Sequence, residues 1–533
     1  MEAGGQSEIP APCAPNAADA GSLLSRATKR RPLRAGDVQF YRVCEDLTEA
    51  LIYAMAVFGP WAFGTTQTWS IWLMNGAGYL LGVMLACKLA IRQLKGYHPA
   101  RWDDGWLESL SAPRGSRLLT PPRLTAWLAW LTVAILVYCL ISAVNARSTF
   151  HRDDLSFAYH PYINWLPHSF DGGRTWLAFW TYLGLALSFW AVRDWLLGKS
   201  EGEERGQHRK PQPGGGNSAL PLPARLRRLL WVLALNGGLL GVEGIAQRLQ
   251  GAGKLLFLVQ PRVNPGAVTQ FGPYAYRANA SQYFNLLWPV CLGFWWTLNQ
   301  SLGFKRNAHH LILAGAAVMA ACPIISTSRA GALITVGIVA LAAILLSVSH
   351  FFFAAHQPQD RKTRKITLAC LFLFFTGALA LGFALGWKSL KPRMAQLSEG
   401  FELREAMYDA ARPMAADYPV FGTGPGTFES VFQLYRKSTN RYWPAQLHND
   451  WLETRITFGC VGSGLVALAF VAVVLRWFAR GGIHGGRRFV ILIWLALAGC
   501  LVHARFDFPF QIHSIVFLFL VLCAILFTLT RRP

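Results

Sequence analysis

Acidic residues are scarce in this sequence: 28 Asp and Glu stand against 51 Lys and Arg, and charged residues make up only 15% of the 533. A soluble globular chain carries roughly 25% charged residues, so the deficit points away from a soluble protein. The 10 cysteines are scattered singly, most of them inside apolar runs (Cys87, Cys139, Cys291, Cys370, Cys523). No CxxC occurs, so neither a zinc knuckle nor a disulfide framework is indicated. HExxH, a Walker sequence, GxSxG and a dinucleotide fingerprint are missing as well. No metal and no cofactor is implied. The first 40 residues lack the apolar core of a cleavable signal and end on a basic cluster, Lys29 to Arg34. They read as part of a disordered basic cytoplasmic tail, residues 1–47.

What the chain has in plenty is apolar and aromatic: 53% hydrophobic residues, with 21 Trp and 34 Phe. Aromatic rings gather at membrane interfaces, which suits this composition. A net charge of +23 would fit nucleic acid, but no folded basic domain is available to bind it. Lys and Arg sit instead in short segments between apolar runs, as the positive-inside bias requires.

A spanning helix needs about 20 mostly apolar residues, and on that criterion about twelve segments qualify. They fall near 48–64, 69–93, 124–146, 174–197, 227–248, 283–299, 311–327, 330–349, 366–387, 458–478, 489–504 and 513–530. The fold class is therefore all-α, a polytopic membrane protein with one large extracytoplasmic loop containing short helices. Charge places both termini in the cytoplasm, with Lys305-Arg306, Arg361 to Lys365 and Arg487-Arg488 on the same side. The chain divides into the tail, an N-terminal membrane region at 48–269 with a cytoplasmic linker at 198–226, and a core at 270–530. The loop 388–457 lies outside the cytoplasm, where nucleotide-activated sugars are scarce.

That loop concentrates reactive side chains. Residues 398–412 are predicted to be a helix with Ser398 as N-cap and Pro413 near its end. GTGPGTF (Gly422, Gly424, Gly426) must be irregular, either a tight turn or a backbone nest for an anion, and the tight turn is preferred. A second helix is expected around 428–437. His448, in LHNDWLE, carries an imidazole suited to proton transfer near neutral pH, or is a structural interfacial residue. Asp450 and Glu453 either orient that ring or cap the next helix. Asn449 joins this group as a candidate substrate ligand. Arg329, in STSRAGAL, sits where a guanidinium needs a partner or a task, or snorkels to headgroups. Arg404 and Arg277 are two more cations on the same side, and three such forks on one face would bind a pyrophosphate. His503, Arg505 and Asp507 occupy a short outer turn that either lines the same cavity or caps helix ends. Asp103-Asp104 and Asp153-Asp154 lack a third ligand for a metal.

SRAGALITV (Ser328 to Val336), FGTGPGTF and HNDWLE…FGCVGSGL together resemble the O-antigen ligase/polymerase family of bacterial membrane proteins. YRANASQYFNLLWP (Tyr276 to Pro289) is similar to a segment that precedes the family's core. The resemblance covers roughly residues 270–530 and implies a GT-C-like, metal-independent glycosyltransferase in the bacterial inner membrane, its site facing the periplasm. It implies a donor glycan on undecaprenyl pyrophosphate, a glycan or lipid-linked acceptor, surrounding membrane lipids and no nucleic acid. By it, His448 is the base, and Arg404 and Arg329, with Arg277 more weakly, hold the pyrophosphate. The rival reading is a transporter or flippase of lipid-linked glycan without covalent chemistry, which would have repeated halves and a polar midplane site. No internal repeat is evident.

Overall fold

A computed structural model describes residues 32–103, 121–208, 222–302, 308–353, 361–437, 443–478, 483–484 and 486–530. Its helices are α1 Ala35–Trp61, α2 Thr68–Lys95, α3 Pro121–Val144, α4 Gly172–Leu197, α5 Glu201–His208, α6 Ala224–Gln250 and α7 Arg277–Leu302. They continue with α8 His310–Ile325, α9 Arg329–Phe353, α10 Arg361–Ala395, α11 Leu397–Asp417, α12 Phe428–Val431, α13 Asp450–Arg476, α14 Arg487–His503 and α15 His513–Thr528. An antiparallel hairpin of β1 (Ser148–His151) and β2 (Ser156–Tyr159) is the main exception to an all-α polytopic fold.

Every segment expected to span is helical. Among the described residues seven helices (α2, α3, α4, α6, α9, α10, α13) are long and apolar enough to cross a membrane by length and composition, and α8 and α15 are shorter apolar helices. That is fewer than the dozen read from the sequence. The helix α7 shows why: Asn, Gln, Tyr and Trp lower its hydropathy, yet it is the most enclosed helix of the fold. Residues 278–299 are all buried, and α7 packs against α6, α8, α9, α14 and α15. A helix apolar on one stripe faces solvent or lipid on the other, whereas one buried all round is a core element.

Polar side chains stitch this centre. Asn285 donates to the Gly331 carbonyl at 3.1 Å and accepts from the Thr335 hydroxyl at 2.6 Å, joining α7 to α9. A Cβ at position 331 would stand 2.2 Å from Ser281 Oγ, so only glycine lets α9 approach α7 so closely. This accounts for the glycine of the SRAG motif.

The tail ends earlier than expected. Residues 35–47 belong to α1, whose start is held by Asp37 accepting from the Arg34 amide at 3.0 Å. Residues 1–31 lie outside the described residues. Of the expected linker 198–226, residues 201–208 form α5 and α6 begins at Ala224, while 209–221 are likewise outside the description. At this end of the bundle the fully buried Lys88 pairs with Glu45 at 2.9 Å and Asp194 at 3.1 Å. Arg92 and Arg101 complete the set around Asp194. Buried charges are costly unless paired and hydrogen-bonded, and these are. Asp103 pairs with Arg101 at 2.8 Å, and Asp104 falls outside the described residues.

Candidate active site

At the other end of the bundle, α13 begins with the HNDWLE stretch. His448 has a positive φ of 59°, and Tyr408 of α11 donates to its carbonyl at 2.7 Å. Asn449 is the N-cap of α13, accepting from the Leu452 amide at 3.2 Å. Asp450 is buried and accepts from the Phe510 amide at 2.7 Å and from Gln511 at 3.4 Å. Its own amide donates to the Ala504 carbonyl at 2.8 Å. Glu453, also buried, accepts from the Leu447 amide at 2.8 Å. Of these three side chains, Asp450 fastens the start of α13 to the turn 504–511 between α14 and α15, while Asn449 and Glu453 hold the helix start itself.

That turn carries the partner of His448. The imidazole Nδ1 lies 2.9 Å from Asp507 Oδ1. Of the two readings of Asp450 and Glu453, orienting the ring is not the one seen: among the described residues neither has a hydrogen bond to it, and its bond goes to Asp507. Both lie in the first turn of α13. Asp507 also accepts from the Tyr276 hydroxyl at 3.2 Å and from the Phe508 amide at 3.2 Å. Burial pushes the Asp507 carboxyl up, but the hydrogen bond and charge of His448, with Arg404 and His503, outweigh it and hold the carboxyl below its usual range. Burial and the Asp507 charge push the Tyr276 phenol well above its usual range, so it stays a donor.

An ionised carboxylate only accepts, so Nδ1 of a neutral His448 must carry the proton and Nε2 is left with its lone pair. The His448 side chain is 23% exposed while Asp507 is 2% exposed, so the pair presents its imidazole outward. The rings of Phe508 and Tyr276 flank it at 4.8 and 6.0 Å, and stack on each other at 5.5 Å.

The arginines gather on the same side. Arg404 of α11 places Nη2 3.9 Å from Asp507 Oδ2 and donates through Nη1 to the Phe506 carbonyl. Burial lowers its pKa, but Asp507 and the phenols of Tyr276 and Tyr408 raise it more, so it stays cationic. Arg329, at the start of α9, donates to the Gln396 carbonyl at 2.6 Å and lies close enough to Arg404 for their charges to interact. Arg393, in the last turn of α10, interacts with both Arg404 and Tyr276. Arg277 is directed elsewhere: its guanidinium donates to the Val268 carbonyl at 2.6 Å. Among the described residues none of its hydrogen bonds or ion pairs reaches His448, Asp507 or Arg404.

The glycine-rich turn takes no anion. The amides of Gly422, Thr423 and Gly424 donate to the carbonyls of Tyr418, Ile456 and Thr457 at 3.1, 2.9 and 3.0 Å. They do so because α13 is broken at Gly459, whose φ of 60° and ψ of −165° suit glycine alone. Beyond the break, the Cys460 and Val461 amides donate to Pro419 and Val420 at 2.9 and 3.1 Å. Tyr138 of α3 donates to the carbonyls of Phe421 and Phe458 at 2.5 and 3.0 Å. These bonds pair the backbone polar groups of the turn and of the helix break with each other and with Tyr138, within the protein. The helix α11 runs through Pro413 to Asp417, further than expected, and starts after Gln396 rather than at a Ser398 cap. The second helix is short, α12 followed by one 3-10 turn at Phe432–Leu434.

Asp507, Tyr276 and Arg393 were not singled out as site residues from sequence. Asp507 had been noted only as part of a polar outer turn. Asp153-Asp154 sit exposed between the two hairpin strands. Among the described residues no group of three His, Cys, Asp or Glu side chains is placed to hold a metal ion.

Fold and site together define a polytopic membrane protein in which α11, the start of α13 and the turn 504–511 set a histidine–carboxylate pair beside clustered arginines. Residues 314–467 match the family model described as O-Antigen ligase, so that segment of the chain is similar to that family. The match takes in Arg329, Arg404, His448, Asn449, Asp450 and Glu453 but not Arg277 or Asp507. It supports a membrane glycosyl-transfer role of the ligase or polymerase kind, in polysaccharide biosynthesis. No curated protein matches the chain.

Proposed function

We propose that the protein transfers a glycan from an undecaprenyl-pyrophosphate donor to a hydroxyl of an acceptor sugar, without a metal, at the periplasmic face of the inner membrane. The observation that carries this is the 2.9 Å contact of His448 with a buried Asp507 whose other oxygen faces Arg404. His448 Nε2 takes the proton of the acceptor hydroxyl as its oxygen attacks the anomeric carbon. The bond from that carbon to the pyrophosphate oxygen breaks, and the leaving pyrophosphate gains negative charge. Arg404, Arg329 and Arg393 supply preorganised positive charge for it, and such electrostatic help is generally the largest single contribution to catalysis. Asp507 fixes the imidazole tautomer and stabilises the imidazolium that forms. Asn449, Asp450 and Glu453 position the histidine and its turn rather than reacting. Both termini would lie in the cytoplasm, which puts this end of the bundle outside.

The test is transfer by purified, chelator-treated protein from a lipid-linked repeat to acceptor glycan. His448→Ala should lower turnover by on the order of 10² to 10⁴, the usual worth of a general base. Turnover unchanged by that substitution, or movement of lipid-linked glycan across vesicles with no new glycosidic bond, would exclude the proposal.

A further inference from the structure

A concave feature lies within a short stretch of chain of the proposed reaction site. The β1–β2 hairpin, the start of α4, α12 and residue 443 enclose a cavity of about 210 Å³, lined among others by Phe150, Trp443, Arg152, Arg174, Glu429 and Ser430. It would hold about seven waters by volume. The proposed reaction uses none of these residues.

Its charges are balanced. Glu429 faces Arg174 at 2.7 Å and Arg152 at 3.5 Å. Asp171, also on the wall, accepts from Ser430 Oγ at 2.5 Å and caps α4 through the Arg174 amide at 3.3 Å. Two cations beside two carboxylates leave no net charge to attract a phosphate. What they offer is a dense alternation of donors and acceptors. Exposed ion pairs contribute little to stability, and Arg152 is 67% exposed, so folding alone gives little reason for its pairing with Glu429. Phe150 and Trp443 stand 6.3 Å apart with their planes tilted by 35° and supply the apolar part of the lining. The buried Trp443 indole N–H has no acceptor among the described residues.

A pyranose ring has this pattern in reverse: apolar C–H faces, and an edge of hydroxyls that both donate and accept. We infer that the cavity is a subsite holding one sugar residue of the acceptor glycan, away from where the new bond forms. This rests on the glycosyl-transfer reading above. Trp443 and His448 are joined by a chain segment that spans at most about 18 Å when extended, which keeps the subsite within a few sugar rings of the imidazole. The two places are also rigidly connected. Phe428 and Val431 of α12 share one apolar cluster with Tyr408 and Leu447, which fix the His448 turn. A bound sugar would thus set the register of the acceptor hydroxyl against His448, and the glycan would be measured at two points.

The probe is the oligosaccharide repeat released from its lipid carrier by mild acid, titrated calorimetrically into the full-length detergent-solubilised protein. Trp443→Phe should stay close to wild type, and Trp443→Ala and Arg152→Ala should each bind about tenfold more weakly. In transfer assays the same two variants should raise the acceptor KM by a similar factor and leave the donor KM in place. The exposed position of Arg152 keeps that variant informative should Trp443→Ala fold poorly. Affinities and acceptor KM equal to wild type in both variants, with transfer intact, overturn the subsite and leave the reaction standing. A wild-type protein that forms no glycosidic bond overturns the reaction and the subsite with it.

Discussion

His448 and Asp507 stand 59 positions apart in sequence and meet at 2.9 Å, Nδ1 to Oδ1. The contact joins the start of α13 to the turn between α14 and α15, and Asp450 clamps the same two pieces through the Phe510 amide. The imidazole is therefore oriented by a residue outside the segment that the family model covers.

Asp507→Asn keeps the shape of the turn and removes the charge. An amide can donate to Nδ1 and reverse the tautomer, so turnover should fall by on the order of 10² or more, as when a triad carboxylate is neutralised. Steady-state transfer assays, with circular dichroism as the folding control, measure this. Turnover within a factor of two of wild type would show that Asp507 plays no part in orienting the base.

The same carboxyl should appear in the pH dependence of stability. Its pKa is depressed in the folded protein, so its contribution is fully present above the unfolded value near 3.9 and is lost as pH falls through the lower folded value. In detergent melts, wild type should exceed Asp507→Asn in midpoint temperature at pH 6, and the gap should close as pH drops below about 4. A gap independent of pH would mean that packing rather than charge makes the difference.

Arg404 both faces Asp507 and donates to the Phe506 carbonyl. Lysine keeps the charge but cannot span two acceptors with a planar fork. Arg404→Lys should therefore lower turnover by roughly tenfold or more, since charge-assisted hydrogen bonds are worth about 1.5–3 kcal/mol. Arg277→Ala should change turnover far less, because its guanidinium is engaged by Val268. Measuring both variants in one donor titration compares the two arginines directly, and equal losses would contradict the geometry.

Gly459→Ala should be strongly destabilising. An alanine Cβ would stand 2.2 Å from the Val420 carbonyl oxygen, on a backbone conformation that only glycine adopts readily. Backbone strain of this kind costs about 1–3 kcal/mol before any clash is counted. The expected result is a clear fall in the detergent melting midpoint. An unchanged midpoint would mean that the break in α13 is not held by the loop 419–424.

Much of the fold could be read directly, because a membrane helix writes itself as a run of apolar residues and each such run is helical here. The central helix α7 was expected as a span at 283–299 but not as an enclosed core helix: its Asn285 and Trp288 look polar or interfacial in one dimension, and are satisfied by α9 and by each other. His448, Arg329 and Arg404 could be picked out as the rare polar groups beside long apolar runs. Asp450 and Glu453 looked like partners of His448 by proximity in sequence, yet the helix that they begin turns them toward the backbone of residues 447 and 504–511.

The sequence by itself determined that this is a helical membrane protein and singled out His448, Arg329 and Arg404 as candidates, since runs of apolar side chains and the scarcity of charge beside them are local properties. Only the tertiary structure decided which carboxylate serves His448, which arginines assemble around it, and that the glycine-rich turn mends a broken helix instead of binding an anion. Those outcomes depend on contacts between residues far apart in the chain. A hydrogen bond is set by distance and direction in space, and neither is encoded in spacing along the sequence.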